Sequence, residues 1–109
     1  MKNDPTYLHH ICDAIGKIIE YTSGLSYEDF MNDEKTKDAV VRNFEIIGEA
    51  SKNISSETKN SHPEIPWKYM AGMRDRLIHA YFGVDYGILW QVAREELPKI
   101  MKKLEPLLR

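Results

Sequence analysis

A chain of 109 residues, 29% charged and 42% hydrophobic, has the makeup of one soluble globular domain spanning 1–109, with no room for two. Its net charge of −2 and pI of about 6.1 exclude a bulk nucleic-acid coat protein, so any nucleic-acid contact must come from a local basic patch. One cysteine, no apolar run near the roughly 18 residues that span a membrane, and a start, MKNDPTYLHH, without a signal peptide's apolar stretch together predict a cytoplasmic protein.

The first helix is expected over about Asp4 to Thr22. Asp4 serves as N-cap, Pro5 stands at the first helical position, and Ser23-Gly24 ends the helix. Tyr7, Ile11, Ala14, Ile15, Ile18 and Ile19 form its apolar stripe. The segment SYEDFM, Ser26–Met31, could add a short helical turn capped by Ser26. A second helix is expected from Asn32 or Asp33 to Ile54, with Val40, Val41, Phe44, Ile47 and Ile54 inward. Gly48 in its middle costs about 1 kcal/mol relative to alanine, which implies close helix packing there. Ser55–Pro66 reads as a linker, because its prolines, serines and asparagines interrupt a helix. A third helix should run from Pro66-Trp67 to about Phe82, with Gly83 ending it. A fourth, capped by Asp85, should run from Tyr86 to Leu107, kinked at Pro98. Valines and isoleucines fall at helical spacing, and nothing reads as a strand. The predicted fold is therefore all-α, an antiparallel four-helix bundle with room for an extra short helix. A monomer of this size has little stability to spare, so self-association would help.

The third helix carries the least ordinary stretch, MRDRLIHAYFGVD, Met73–Asp85. On a straight helix Asp75 and His79 are an i,i+4 pair about 40° apart, and Arg74 and Tyr81 lie within about 20°. Arg74 and His79 are then about 140° apart and do not aim at one point. Either the arginine stem reaches around, or the helix loosens near His79, or a second subunit completes the site. Histidine can act as general base or acid, and arginine can hold phosphate oxygens in a bidentate manner. Asp75 can accept the His79 ring N–H. RNA supplies its own nucleophile in the ribose 2′-OH, so metal-independent RNA cleavage without a cofactor is one reading. A solvated helix face is the other.

A family resemblance bears on that choice. Arg74-Asp75-Arg76-Leu77-Ile78-His79-Ala80-Tyr81 matches the R-x4-H-x-Y motif of HEPN-domain toxins of the HepT type. Arg42–Ala50, RNFEIIGEA, resembles that family's second-helix signature. Pro63–Trp67 leading to Gly72-Met73-Arg74 resembles the start of its third helix, and Val84-Asp85 with Trp90 the start of its last. The resemblance covers about Leu8 to Leu107.

It implies a HEPN-like bundle that dimerises through the motif-bearing face, and an endoribonuclease toxin of a HepT/MntA, type VII-like toxin–antitoxin pair. Arg74 and His79 would be catalytic, with Asp75 orienting the histidine. The substrate would be mRNA or tRNA, and the product would carry a 2′,3′-cyclic phosphate. An MNT-type nucleotidyltransferase antitoxin would inactivate the toxin by AMPylation of Tyr81. The alternative is a non-catalytic subunit that presents a nucleotide or substrate to that transferase.

Arg42, Glu45 and Glu49 share a face and could wall the cleft or form a salt-bridge ladder; Arg76 is a further cleft candidate. Lys68, Arg74 and Arg76 outweigh Asp75, and Lys99, Lys102, Lys103 and Arg109 outweigh Glu105, so both regions could flank RNA. His9 and His10 point about 100° apart and make poor joint metal ligands; no metal site is expected.

Overall fold

The computed structural model describes residues 3–79 and 83–108, the side chain of His79 apart. Helix α1 spans Asp4–Thr22, α2 Tyr27–Met31, α3 Glu34–Lys52, α4 Ser56–Ser61, α5 Trp67–Ala71 and α6 Met73–Leu77. Two short strands follow, β1 Ile78–His79 and β2 Gly83–Val84, then α7 Tyr86–Gln91 and α8 Leu97–Leu104. A π-helical turn, Val92–Glu96, joins the last two, and a 3-10 turn, Glu105–Leu108, ends the described chain.

The bundle is antiparallel and all-α apart from the two short strands, as the apolar spacing predicts. Asp4, at the start of α1, bonds Ser55, just past the end of α3. Arg94 donates to the Thr22 carbonyl, which sets the start of the last helical run beside the end of α1. Ile11, Ile15 and Ile18 meet Val40, Phe44 and Ile47 in a fully buried core, which Met70, Met73, Leu89, Leu97 and Leu104 complete from the other helices. Burying each such side chain contributes about 1.5 to 3 kcal/mol. Helix α2 does form, with a capping box between Ser26 and Asp29. It is pinned by the buried Phe30, whose ring lies 5.0 Å from that of Trp90 and 6.2 Å from that of Tyr86.

Four local expectations are corrected. Asp4 does not cap α1; Asn3 holds that position without a side-chain cap bond, and the Asp4 carboxylate turns inward to accept from Ser55 and Thr58. Burial works to raise the Asp4 carboxyl, but the Ser55 and Thr58 hydrogen bonds outweigh it and hold the group well below the usual carboxylate range. The linker contains a helix, α4, because the Ser55 hydroxyl accepts from Thr58 N–H and nucleates it before the first proline. Asp85 occupies the N-cap of α7 but makes no side-chain cap bond. The proline break in the last helix is taken up earlier, by the π turn: Leu97 N–H reaches back five residues to the Val92 carbonyl. The wider turn makes room for the ring of Pro98, which can donate no bond to Arg94.

The third helix departs furthest from expectation. It breaks at Gly72 and stops at Leu77, where Ile78 turns extended at φ −119° and ψ 108°. Ile78 pairs with Val84 and His79 with Gly83 in an antiparallel ladder, and Asp85 N–H closes onto the Leu77 carbonyl at 2.9 Å. A β-branched residue at the helix end and a glycine at φ +90° favour this exit over another helical turn.

Candidate active site

Gly48 decides where Arg74 sits. A Cβ on Gly48 would lie 3.5 Å from the Arg74 Cβ and 3.6 Å from both the Arg74 nitrogen and the Ala71 carbonyl oxygen. The bare glycine therefore lets the α5–α6 backbone approach α3 closely, the packing expected from its mid-helix position. From there the Arg74 side chain runs over the polar face of α3. Its Nε stands 3.6 Å from Glu45 Oε2, and its Nη1 3.8 Å from Asp75 Oδ1. Both distances exceed those of a tight bidentate pair, and the Arg74 side chain is 46% exposed, so much of the guanidinium's hydrogen-bonding capacity faces solvent.

Arg42, Glu45, Glu49 and Arg74 line one surface groove of about 320 Å³ between α1, α3 and α6. Glu45 pairs with Arg74 across two helices, so this face walls a cleft. Arg76 does not join it. Its guanidinium carbon lies 5.0 Å over the Tyr69 ring, because adjacent residues of α6 diverge by about 100°. Tyr69 also lines a separate groove of about 430 Å³ with Lys99 and Lys103. Burial raises the Tyr69 phenol above its usual range, Arg76 opposes this, and Glu96 adds to it.

His79 follows α6 after Ile78, on the β ladder, so Asp75 and His79 are not the i,i+4 helical pair the spacing suggests. Of the three ways to resolve the 140° divergence, the backbone takes the second: the helix ends before His79. The Asp75 carboxylate has its described partner in Arg74. Tyr81 lies outside the described residues, as does the His79 side chain.

Tyr7 and His10, which sequence reasoning gave other roles, join the groove, and Ile46, Ala50 and Asn53 complete its lining. Tyr7 and His10 are three apart on α1 and share a face, with ring centroids 6.3 Å apart in an edge-on arrangement. Their spacing was readable; that the face looks onto the polar side of α3 was not. Among the described residues no cluster of three or more histidines, cysteines and carboxylates could hold a metal ion, and no helix is long and apolar enough to cross a membrane.

A family model described as ribonuclease HepT-like matches residues 11–107. A probable ribonuclease HepT of Thermococcus cleftensis is 54% identical over 101 residues, covering 93% of this chain and 92% of that protein. A protein of Caldanaerobacter subterraneus subsp. tengcongensis, described as a candidate RNase, is 45% identical over 109 residues, covering 100% of this chain and 97% of its own. No solved structure gives a significant match. The matched span takes in α3 with its Arg42, Glu45 and Glu49 wall, the α6 arginine and the ladder histidine, and on that ground the chain belongs to the ribonuclease HepT-like family.

Proposed function

We propose that this chain is a metal-independent endoribonuclease, a single HEPN-like domain that acts as the toxin of a two-component toxin–antitoxin pair. His79 takes the proton from a ribose 2′-OH, whose oxygen attacks the adjacent phosphorus. Arg74 stabilises the charge that builds on the phosphorane oxygens. The P–O5′ bond breaks, leaving a 2′,3′-cyclic phosphate and a 5′-hydroxyl. Asp75 orients His79, and its carboxylate, 3.8 Å from Arg74 Nη1, also steadies the guanidinium. The observation that carries this reading is a half-exposed arginine over an open groove, with the motif histidine two residues past the end of its helix.

The site works in a homodimer whose facing copies of the motif share one cleft. An MNT-type nucleotidyltransferase antitoxin silences it by transferring AMP to Tyr81, whose phosphate would occupy Arg74. The reading is tested by cutting an end-labelled RNA, mRNA or tRNA, in excess chelator, with wild type beside His79→Ala. Cleavage by wild type alone, with a cyclic phosphate end, supports it, and equal cleavage by both sinks it. The partner assignment is tested separately by intact mass. One or more AMP increments, mapped to Tyr81 and seen only with the transferase and ATP, are expected.

A further inference from the structure

Two basic regions remote in sequence meet at Tyr69. Arg76 stands two residues after Arg74, so it leaves α6 about 160° away from it and points away from the face that the proposed homodimer joins. Its guanidinium carbon lies 5.0 Å over the ring of Tyr69, on α5. Tyr69 in turn lines a groove of about 430 Å³ that it shares with Lys99 and Lys103 of α8 and with Pro66, Glu96 and Ile100. We propose that this groove holds single-stranded RNA running on from the cleavage site, a second substrate contact that rests on the ribonuclease reading above.

Lys99 and Lys103 are four residues apart on α8, so they share a face and stand about 6 Å apart along its axis. Both are exposed, and among the described residues neither makes an ion pair, even with Glu96 beside them. Their charges are therefore available to phosphates, and they outweigh Glu96, the one carboxylate that lines the groove. Tyr69 distinguishes this surface from an ordinary solvated lysine face. Its ring is half-buried, burial raises its phenol, and Arg76 over it limits how it can turn. A fixed aromatic ring beside a row of cations suits a single strand, because bases stack on the ring while the backbone follows the charges. An acidic protein surface would need the lysines alone, so the ring favours RNA. The two grooves are also within reach of one strand. A helix with its side chains is about 10 to 12 Å across, which a strand rising about 3.4 Å per nucleotide crosses in about four nucleotides. One RNA can thus lay its scissile phosphate at Arg74 and its flank at Tyr69.

Fluorescence anisotropy tests this with a labelled single-stranded RNA of about 20 nucleotides, longer than the roughly 4 to 16 that one such surface occupies. The parent protein is the full chain carrying His79→Ala, so that the RNA stays uncut. Lys99→Gln with Lys103→Gln should weaken binding at least about fivefold at low salt. It should also lower the slope of log affinity against log salt by about 1.4, two phosphate contacts at about 0.7 each. Lys35→Gln with Lys52→Gln makes the same charge change on α3, outside both grooves, and should leave affinity within about twofold and the slope unchanged. Tyr69→Leu should weaken binding about fivefold or more without changing the slope, and Tyr69→Phe, which keeps the stacking face, should bind like the parent. Circular dichroism confirms that each variant is folded. The assignment is overturned if the two lysine pairs act alike, or if Tyr69→Leu binds like the parent. It also falls if the groove lysines alter sedimentation of the protein but not RNA binding, which would make the groove a protein contact. Cleavage is scored apart from binding. If folded wild type leaves the RNA uncut, the ribonuclease reading falls, and the groove stands or falls on affinities and salt slopes alone.

Discussion

Replacing Gly48 tests the link between the bundle and Arg74. A methyl at that position meets its nearest neighbours at 3.5 and 3.6 Å, ordinary van der Waals contact. Gly48→Ala therefore introduces no overlap and recovers about 1 kcal/mol of helix propensity in α3. The melting temperature should rise by about 4 °C. A larger side chain behaves differently. Each further carbon lies about 1.5 Å beyond the last, which would bring Gly48→Leu within about 2 Å of the Arg74 backbone. The α5–α6 segment must then shift, at a cost of about 1 to 3 kcal/mol of overpacking. Arg74 moves with it, so RNA cleavage should fall further than the loss of folded protein explains. Thermal denaturation by circular dichroism, paired with cleavage rates well below the melting point, reads both effects. If Gly48→Leu melts and cuts like wild type, α3 and α6 do not approach as described. If Gly48→Ala loses more than about 1 kcal/mol, the contact is tighter than ordinary and the reasoning fails in the other direction.

Arg74→Ala should abolish cleavage yet change stability by less than about 0.5 kcal/mol, because its ion pairs are long and part-exposed. Arg76→Ala should lose about 0.5 to 1 kcal/mol through its Tyr69 contact and keep most activity, so parallel cleavage and urea titrations separate the two. Asp4→Ala should cost about 1 to 3 kcal/mol, since it removes the shared acceptor of Ser55 and Thr58. The Asp4 carboxyl is depressed in the folded state, so its contribution is present in full above its ordinary value of 3.8 and is lost as pH falls below it. Urea midpoints between about pH 5 and pH 2 should therefore fall less steeply in Asp4→Asn than in wild type. Burial pushes the Cys12 thiol up to about 11, helped by Asp13 and Glu105, so iodoacetamide at pH 8 should label it far more slowly in native than in unfolded protein, read by mass.

Much of the fold was legible in the residues. The apolar periods of α1 and α3 place those helices closely, and Gly48 announces the close packing against α5–α6. The end of α6 was not legible. Leu77, Ile78 and Val84 are apolar in a way that a helix and a short ladder share, and periodicity cannot separate them over so few residues. Pro98 signals a disturbance but not its form, since a kink and a π turn both relieve the same ring. That Arg42, Glu45 and Glu49 share one face was legible because spacing within one helix defines it, and that face lines the Arg74 groove. Tyr7 and His10 were not foreseen in the groove, and Arg76 faces Tyr69 outside it, because what a face looks onto depends on how helices pack against each other.

The ladder at Ile78–His79 gives the four-residue gap between Arg74 and His79 an unusual sensitivity to chain length. On a helix, each inserted residue would swing the histidine's position by about 100°, so one would turn it away from its old side and three or four would bring it back near it. On a strand, successive positions alternate between faces, so one residue inserted after Ile78 would reverse the face of the histidine's position in the ladder, and two would restore it. Length variation at this point should therefore be tolerated in pairs, a parity that a helical site would not impose.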